Sequence, residues 1–289
     1  MRVRLVNFAM TVTLVVMETM VLPFAFATET PRDKAWPVLY AGLSDNNVDK
    51  RTTAVQVLGL IPGDPQAEEA AMHALKDEKP QVRAAAAKAL GDMKYKAALP
   101  TLTAIINTDN DAGVILAAAR SLIDMGDIRG YNVYYAILTG ERKSGTSLMD
   151  EQKKMLNDPK KMAQFGFEQG IGFIPFAGLG YGAFKMVTKD NTSPVLAAAA
   201  LTLAKDPDPK SGQALADAAS GNKSWIVRAA ALNALAFRGE TSLLPAAEAQ
   251  LEDPKEEVRY SAAAAVIHLS DLKTRRPVHR KPSQPAPKK

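Results

Sequence analysis

Alanine returns along this chain at a fixed interval, at Ala54, Ala86, Ala118, Ala199, Ala231 and Ala262, with separations of 32, 32, 81, 32 and 31 residues. Four residues after each stands a large aliphatic: Leu58, Leu90, Leu122, Leu203, Leu235 and Val266. Four residues before it, from the second copy on, stands a valine: Val82, Val114, Val195, Val227 and Val258, with Lys50 in the first copy. Steps of four place all three positions on one face of a helix. A period near thirty residues marks a repeat array in which each unit buries its apolar face against its neighbours. The odd interval of 81 is one period of 32 plus 49, so an extra segment interrupts the array.

Each unit reads as two short helices. The first helices are expected near 35–43, 66–76, 97–106, 130–138, 212–219 and 243–251. The second are clearest in the run from Pro80 to Gly91, where Val82, Ala86 and Leu90 form the stripe. Proline suits a first helical turn, where its missing N–H has no helical partner anyway. Pro80, Pro194 after Ser193 and Pro254 after Asp253 are read in that place, the last two behind a capping side chain. Gly59, Gly91 and Gly126 are read as helix stops. Alanine runs such as Ala84–Ala87 and Ala262–Ala265 combine strong helix propensity with a side chain small enough for close backbone approach. The recurring alanine is therefore expected at the tightest contact in every unit.

These residues resemble the HEAT repeat family, in the short bacterial form also seen in phycobilisome lyase subunits. The resemblance rests on Val82-Arg83, Val227-Arg228 and Val258-Arg259, with the alanine and leucine positions that follow and the leading acids Asp77 and Asp253. It covers about 35–140 and 191–272. It implies an all-α fold, a right-handed α-solenoid of about six two-helix repeats with the insertion in the fourth, whose second helices line the concave face. It further implies that the aspartate and the arginine (Arg83, Arg228, Arg259) link neighbouring repeats. Ile115 and Leu196 replace that arginine in the third and fourth copies, where the links should be interrupted.

The domain layout that follows is a signal peptide at 1–27, repeats at 28–140, an insertion at 141–190, further repeats at 191–272, and a basic proline-rich tail at 273–289. Arg2 and Arg4, the apolar run from Phe8 to Phe26 and the Ala25-Phe26-Ala27 site fit an export signal, despite Glu18, and so a periplasmic or secreted protein. Within the insertion, Gly170 to Val187 is apolar and rich in glycine and aromatics. Three roles stand open for it: packing on the solenoid, a partner-binding or lid element, and membrane contact through Gly178 and Gly182. The net charge of +5 belongs to the tail, since 273–289 carries +7 and the body 28–272 carries −3. That excludes a general nucleic-acid footprint on the body and leaves the tail suited to solubility or to an anionic surface.

No catalytic constellation is legible. The three histidines, His73, His268 and His279, lack a second ligand at metal spacing, and the His-Glu pairs of iron-binding HEAT-like enzymes are missing. With no cysteine, there is no disulfide, thiol nucleophile or cysteine metal site. No metal or cofactor is expected, and the reading is a non-catalytic scaffold that binds another protein. One candidate surface is the column two residues past the alanine: Gln56, Lys88, Arg120, Leu201, Asn233 and Ala264. Tyr260 and the insertion aromatics Phe173, Phe176, Tyr181 and Phe184 are candidate anchors, because buried aromatics dominate interface energy. The alternatives are a membrane-associated envelope protein, using the insertion or the tail, and a lyase-type or chaperone-like subunit handling a cofactor.

Overall fold

A computed structural model describes residues 29–139 and 193–274. Among them are twelve α-helices. The first seven are α1 (Pro31–Leu43), α2 (Val48–Val57), α3 (Pro65–Ala74), α4 (Pro80–Asp92), α5 (Leu99–Thr108), α6 (Ala112–Asp124) and α7 (Arg129–Thr139). After 193 come α8 (Ser193–Leu203), α9 (Pro209–Gly221), α10 (Trp225–Arg238), α11 (Leu244–Glu248) and α12 (Glu256–Thr274). Their starts are written in the sequence. Asp64 accepts from the Gln66 and Ala67 amides at 2.8 and 3.0 Å, and Asn47 caps α2 in the same way. Thr30 and Asp33 close a reciprocal capping box on α1. Pro254 departs from expectation: Asp253 accepts from the Lys255 amide at 2.8 Å, a turn that precedes α12.

The second helices stack on one another, α2 on α4, α4 on α6, α8 on α10 and α10 on α12. Ala54, Ala86, Ala118, Ala231 and Ala262 are fully buried in these contacts. Ala199 is a correction: it is exposed, while Ala197 and Ala200 are buried, so α8 is rotated relative to the register of the other copies. Gly91 is a second correction. It lies inside α4, where an added Cβ would stand 2.4 Å from Ser121 Oγ, so its role is close approach to α6 and not helix termination. Ser121 Oγ seals that contact by donating to the Ala87 carbonyl at 2.8 Å. Gly126, with φ +87°, is a left-handed stop after α6.

The chain does not stack in the order in which it is written. Its last helix, α12, packs on α1 and also on α2, so the sixth unit joins the first. Tyr260 of α12 is buried against Gly42 of α1, where an added Cβ would stand 2.7 Å from the ring. Ion pairs surround this joint: Arg32 with Asp64 and, at 3.0 Å, with Asp271; Lys34 with Glu248 at 3.4 Å; Lys50 with Glu256 at 2.5 Å. Burial pushes the Asp271 carboxyl up against the lowering pull of Arg32, and Asp64 adds to the rise. Meanwhile α7 packs on α6 and α8 packs on α10. Along the stack the second helices therefore run α8, α10, α12, α2, α4, α6.

Arginine–aspartate rungs tie consecutive units. Arg51 holds Asp77 at 3.0 and 3.1 Å, Arg83 holds Asp109 at 2.8 and 2.9 Å, and Arg228 holds Asp253 at 2.7 and 2.9 Å. Each arginine also donates to two carbonyls ahead of its own helix, so the planar fork fastens both units at once. Arg259 differs from the family pattern. It donates to the Asp253 carbonyl at 2.8 Å and pairs with Glu256 at 3.3 Å, within its own unit. The rung across the joint is replaced by Lys50, shared between Glu256 and Asp45.

Burial alone would raise the carboxyls of Asp77, Asp109 and Asp253, but the arginine and amide hydrogen bonds outweigh it and hold all three below the usual range. A lowered folded-state pKa means that the unfolded chain binds more protons on acidification. The rung stabilisation is thus complete above the unfolded aspartate value of about 3.9 and is lost as pH falls below it. Asp109→Ala is expected to cost about 1–3 kcal/mol at pH 7, because it strands a half-buried guanidinium. It should also flatten the acid limb of a urea-midpoint-against-pH curve. An unchanged acid limb would show that the rung does not act this way.

Candidate functional site

The positions two and six residues past the recurring alanine fall on one side of the second helices in two stretches, α4 with α6 and α10 with the end of α2. On α4, Lys88 Nζ pairs with Asp92 at 2.5 Å, and on α6, Arg120 Nε pairs with Asp124 at 3.0 Å. Both pairs are intrahelical (i, i+4) and solvent-facing, so each is worth only about 0–1 kcal/mol and can re-pair with an incoming charge. The other half of the face has different chemistry. On α10, Asn233 precedes Phe237, whose side chain is 66% exposed on a helix otherwise largely buried. Gln56 of α2 precedes Leu60, which ends the Leu58–Leu60 turn. The side-chain carbonyl oxygens of Gln56 and Asn233 are both buried and accept no hydrogen bond.

The middle of the face is closed. Ala264, expected on the exposed column, is fully buried, because the turn Leu58–Leu60 after α2 reaches both α12 and α10 across it. Tyr260, expected as a partner anchor, is 3% exposed and belongs to the joint with α1. Lys88, Arg120 and Asn233 stay on the accessible face, with the end-to-end joint separating Asn233 from the other two. Phe173, Phe176, Tyr181 and Phe184 lie outside the described residues, as do the expected signal segment, the 141–190 insertion and the tail beyond Thr274. Phe237 escaped the sequence reading. It stands six past Ala231, where the second and third copies carry Asp92 and Asp124, and that contrast was its only signal.

A second concavity lies on the opposite helices. The first helices α1 and α3 splay apart over their stacked partners, leaving a cavity of about 590 Å³ between them. Its floor is aliphatic, from Leu43, Val55 and Val82, and its wall carries Tyr40, Glu69 and His73. Gln66 Nε2 donates to Tyr40 Oη across the opening at 3.4 Å. On α1, behind the cavity, the Arg32 guanidinium lies 5.9 Å from the buried Trp36 ring, and the Trp36 and Tyr40 ring centroids are 5.2 Å apart. Among the described residues, no three His, Cys, Asp or Glu side chains gather as a metal-holding group. Among the same residues no helix is long and apolar enough to cross a membrane.

The family model of the HEAT repeats matches residues 36–123 and 183–267. No curated protein sequence matches the chain. Among solved structures it is similar to human deoxyhypusine hydroxylase in complex with glycerol, at 18% identity over 83% of this chain and 85% of that one, with a TM-score of 0.29. It is also similar to the complex of CpcE and CpcF of phycocyanin lyase from Nostoc, at 20% identity over 82% of this chain and 94% of that one, with a TM-score of 0.32.

Proposed function

Because the chain belongs to the HEAT repeat family, with more than half of its residues matched, we propose that it is an exported, non-catalytic scaffold that binds another protein through its second-helix face. The carrying observation is Phe237, 66% exposed on an otherwise largely buried helix. A protruding aromatic is the kind of side chain whose burial anchors a protein interface. Lys88, Asp92, Arg120 and Asp124 on the far side of the joint supply a charged rim. Export rests on the N-terminal pattern of 1–27.

The test is capture from an envelope extract with residues 28–289 as bait, beside a Phe237→Asp bait. The substitution leaves the buried alanines untouched, so helical circular dichroism should persist within about 0.5 kcal/mol of the original stability. Captured proteins should then be lost. Retention of every partner by the Phe237→Asp bait removes the second-helix face from the reading. A second reading, attachment to an anionic envelope surface, is favoured by the seven unopposed bases of 273–289. Release from membranes by salt alone supports it, and indifference to salt counts against it.

A further inference from the structure

We propose that the groove between α1 and α3 is a homodimer interface, in which α3 of one copy lies antiparallel on α3 of a second copy and the two grooves close over each other. The side chains of α3 carry the first part of the case. Gln66, Glu69, His73 and Lys76 follow one another at steps of three and four, which sets them on one helical face, and all four are exposed. Lys76 lies in the turn that closes α3, its amide donating to the His73 carbonyl at 3.0 Å. All four also line the cavity of about 590 Å³, over a floor of Leu43, Val55 and Val82. Ala70 and Ala74 keep the surface beside them low, so a second helix can approach closely. Tyr40, at the opposite wall and 47% exposed, is covered by the same closure.

Charge decides the occupant. Asp77, at the edge of the groove, is already held by Arg51, and Lys79 beyond it by Glu78. Glu69 and Lys76 make no ion pair among the described residues, and they are the charges left to meet a partner. One acid and one base seven residues apart, about 10 Å along a helix, complement themselves under a two-fold axis. In an antiparallel pair centred between Met72 and His73, Glu69 of each copy stands opposite Lys76 of the other. A parallel pair in the same register sets acid on acid and base on base. A purely acidic or purely basic peptide matches one of the two charges and opposes the other. Burial of the aliphatic floor supplies the attraction, while the exposed ion pairs, weak singly, fix the register. The interface uses first helices alone, so Phe237 and the second-helix face stay open in the dimer.

Sedimentation of the full chain over a concentration series should show a monomer–dimer equilibrium. Glu69→Lys alone and Lys76→Glu alone each set like charges opposite one another twice, and each should weaken self-association about tenfold or more. An equimolar mixture of the two single variants should dimerise again, because the basic face of one meets the acidic face of the other. The chain carrying both substitutions should dimerise as the original does. The altered side chains are exposed, so helical circular dichroism should persist in every case. The chain has no cysteine, which permits a second probe. His73→Cys places a thiol beside the two-fold axis and should oxidise to a covalent dimer about tenfold faster than Gln213→Cys on the exposed side of α9. A monomeric mass at every concentration overturns the proposal and leaves the groove to a different chain. Dimers that ignore the charge exchange, or that cross-link equally through 73 and 213, overturn it too, because association then runs through another face.

Discussion

Tyr260→Ala is expected to cost about 3–5 kcal/mol, the range for deleting a buried aromatic, and to split thermal unfolding into two transitions. The split follows from the stacking order. The segment 29–139 and the segment 193–274 meet where α12 lies against α1 and α2, with the Leu58–Leu60 turn reaching on to α10. Tyr260 fills the centre of that joint, and the surrounding pairs of Arg32, Lys34 and Lys50 are partly solvated and weaker. Tyr260→Phe keeps the ring and should recover all but about 1 kcal/mol. Gly42 supplies the internal check. Gly42→Ala pushes a methyl to 2.7 Å from the tyrosine ring, so it destabilises the original chain. In the Tyr260→Ala background the ring contact is gone and the Ala54 Cβ, at 2.8 Å, is the close neighbour left, so the same methyl should cost less, giving a coupling of about 1–3 kcal/mol in the double-mutant cycle. A single sharp transition for Tyr260→Ala, with no coupling to Gly42, would mean that the two segments are held together elsewhere.

The joint was invisible in the sequence for a physical reason. Periodicity reports which face of each helix is buried, and Val258, Ala262 and Val266 advertise that face as clearly as Val82, Ala86 and Leu90 do. It does not report which neighbour does the burying. Here a face of the sixth unit and a face of the first meet each other. The hints lay in exceptions: Tyr260 where alanine-rich copies have small residues, and Lys50 in place of the first valine. The helices themselves were legible within a few residues, because prolines, capping aspartates and alanine stripes act locally. Rungs to Asp77 and Asp253 were legible through the family pattern. The Arg51 and Asp109 ends were not, since Lys50 masked the first copy and Asp109 sits in a loop crowded with acids. The accessible face was half legible. Lys88 and Asn233 are half-exposed and Arg120 is exposed, whereas Phe237 is one of several exposed large hydrophobics, with Ile128, Tyr131 and Tyr135 among them, and no periodic argument locates it.

Ala86→Leu and Ala199→Leu should have opposite outcomes, although the repeat places both at the same position. Ala86 is fully buried where α4 meets α6 and α2, and the neighbouring Gly91–Ser121 contact shows how close those backbones lie. Three added carbons cannot be placed there without moving a helix. Overpacking costs about 1–3 kcal/mol, and an array transmits a displaced helix to both neighbours. Ala231→Leu, between α8 and α12 on α10, should behave alike. Ala199 is exposed on α8, so leucine there meets solvent and remains a good helix former, with an effect inside about 0.5 kcal/mol. Urea midpoints of the three variants settle the matter. If Ala199→Leu proves as damaging as Ala86→Leu, then Ala199 is covered in solution and α8 holds the common register. If it proves neutral, α8 presents Ala199 to solvent and departs from the register that the buried alanines of the other copies share.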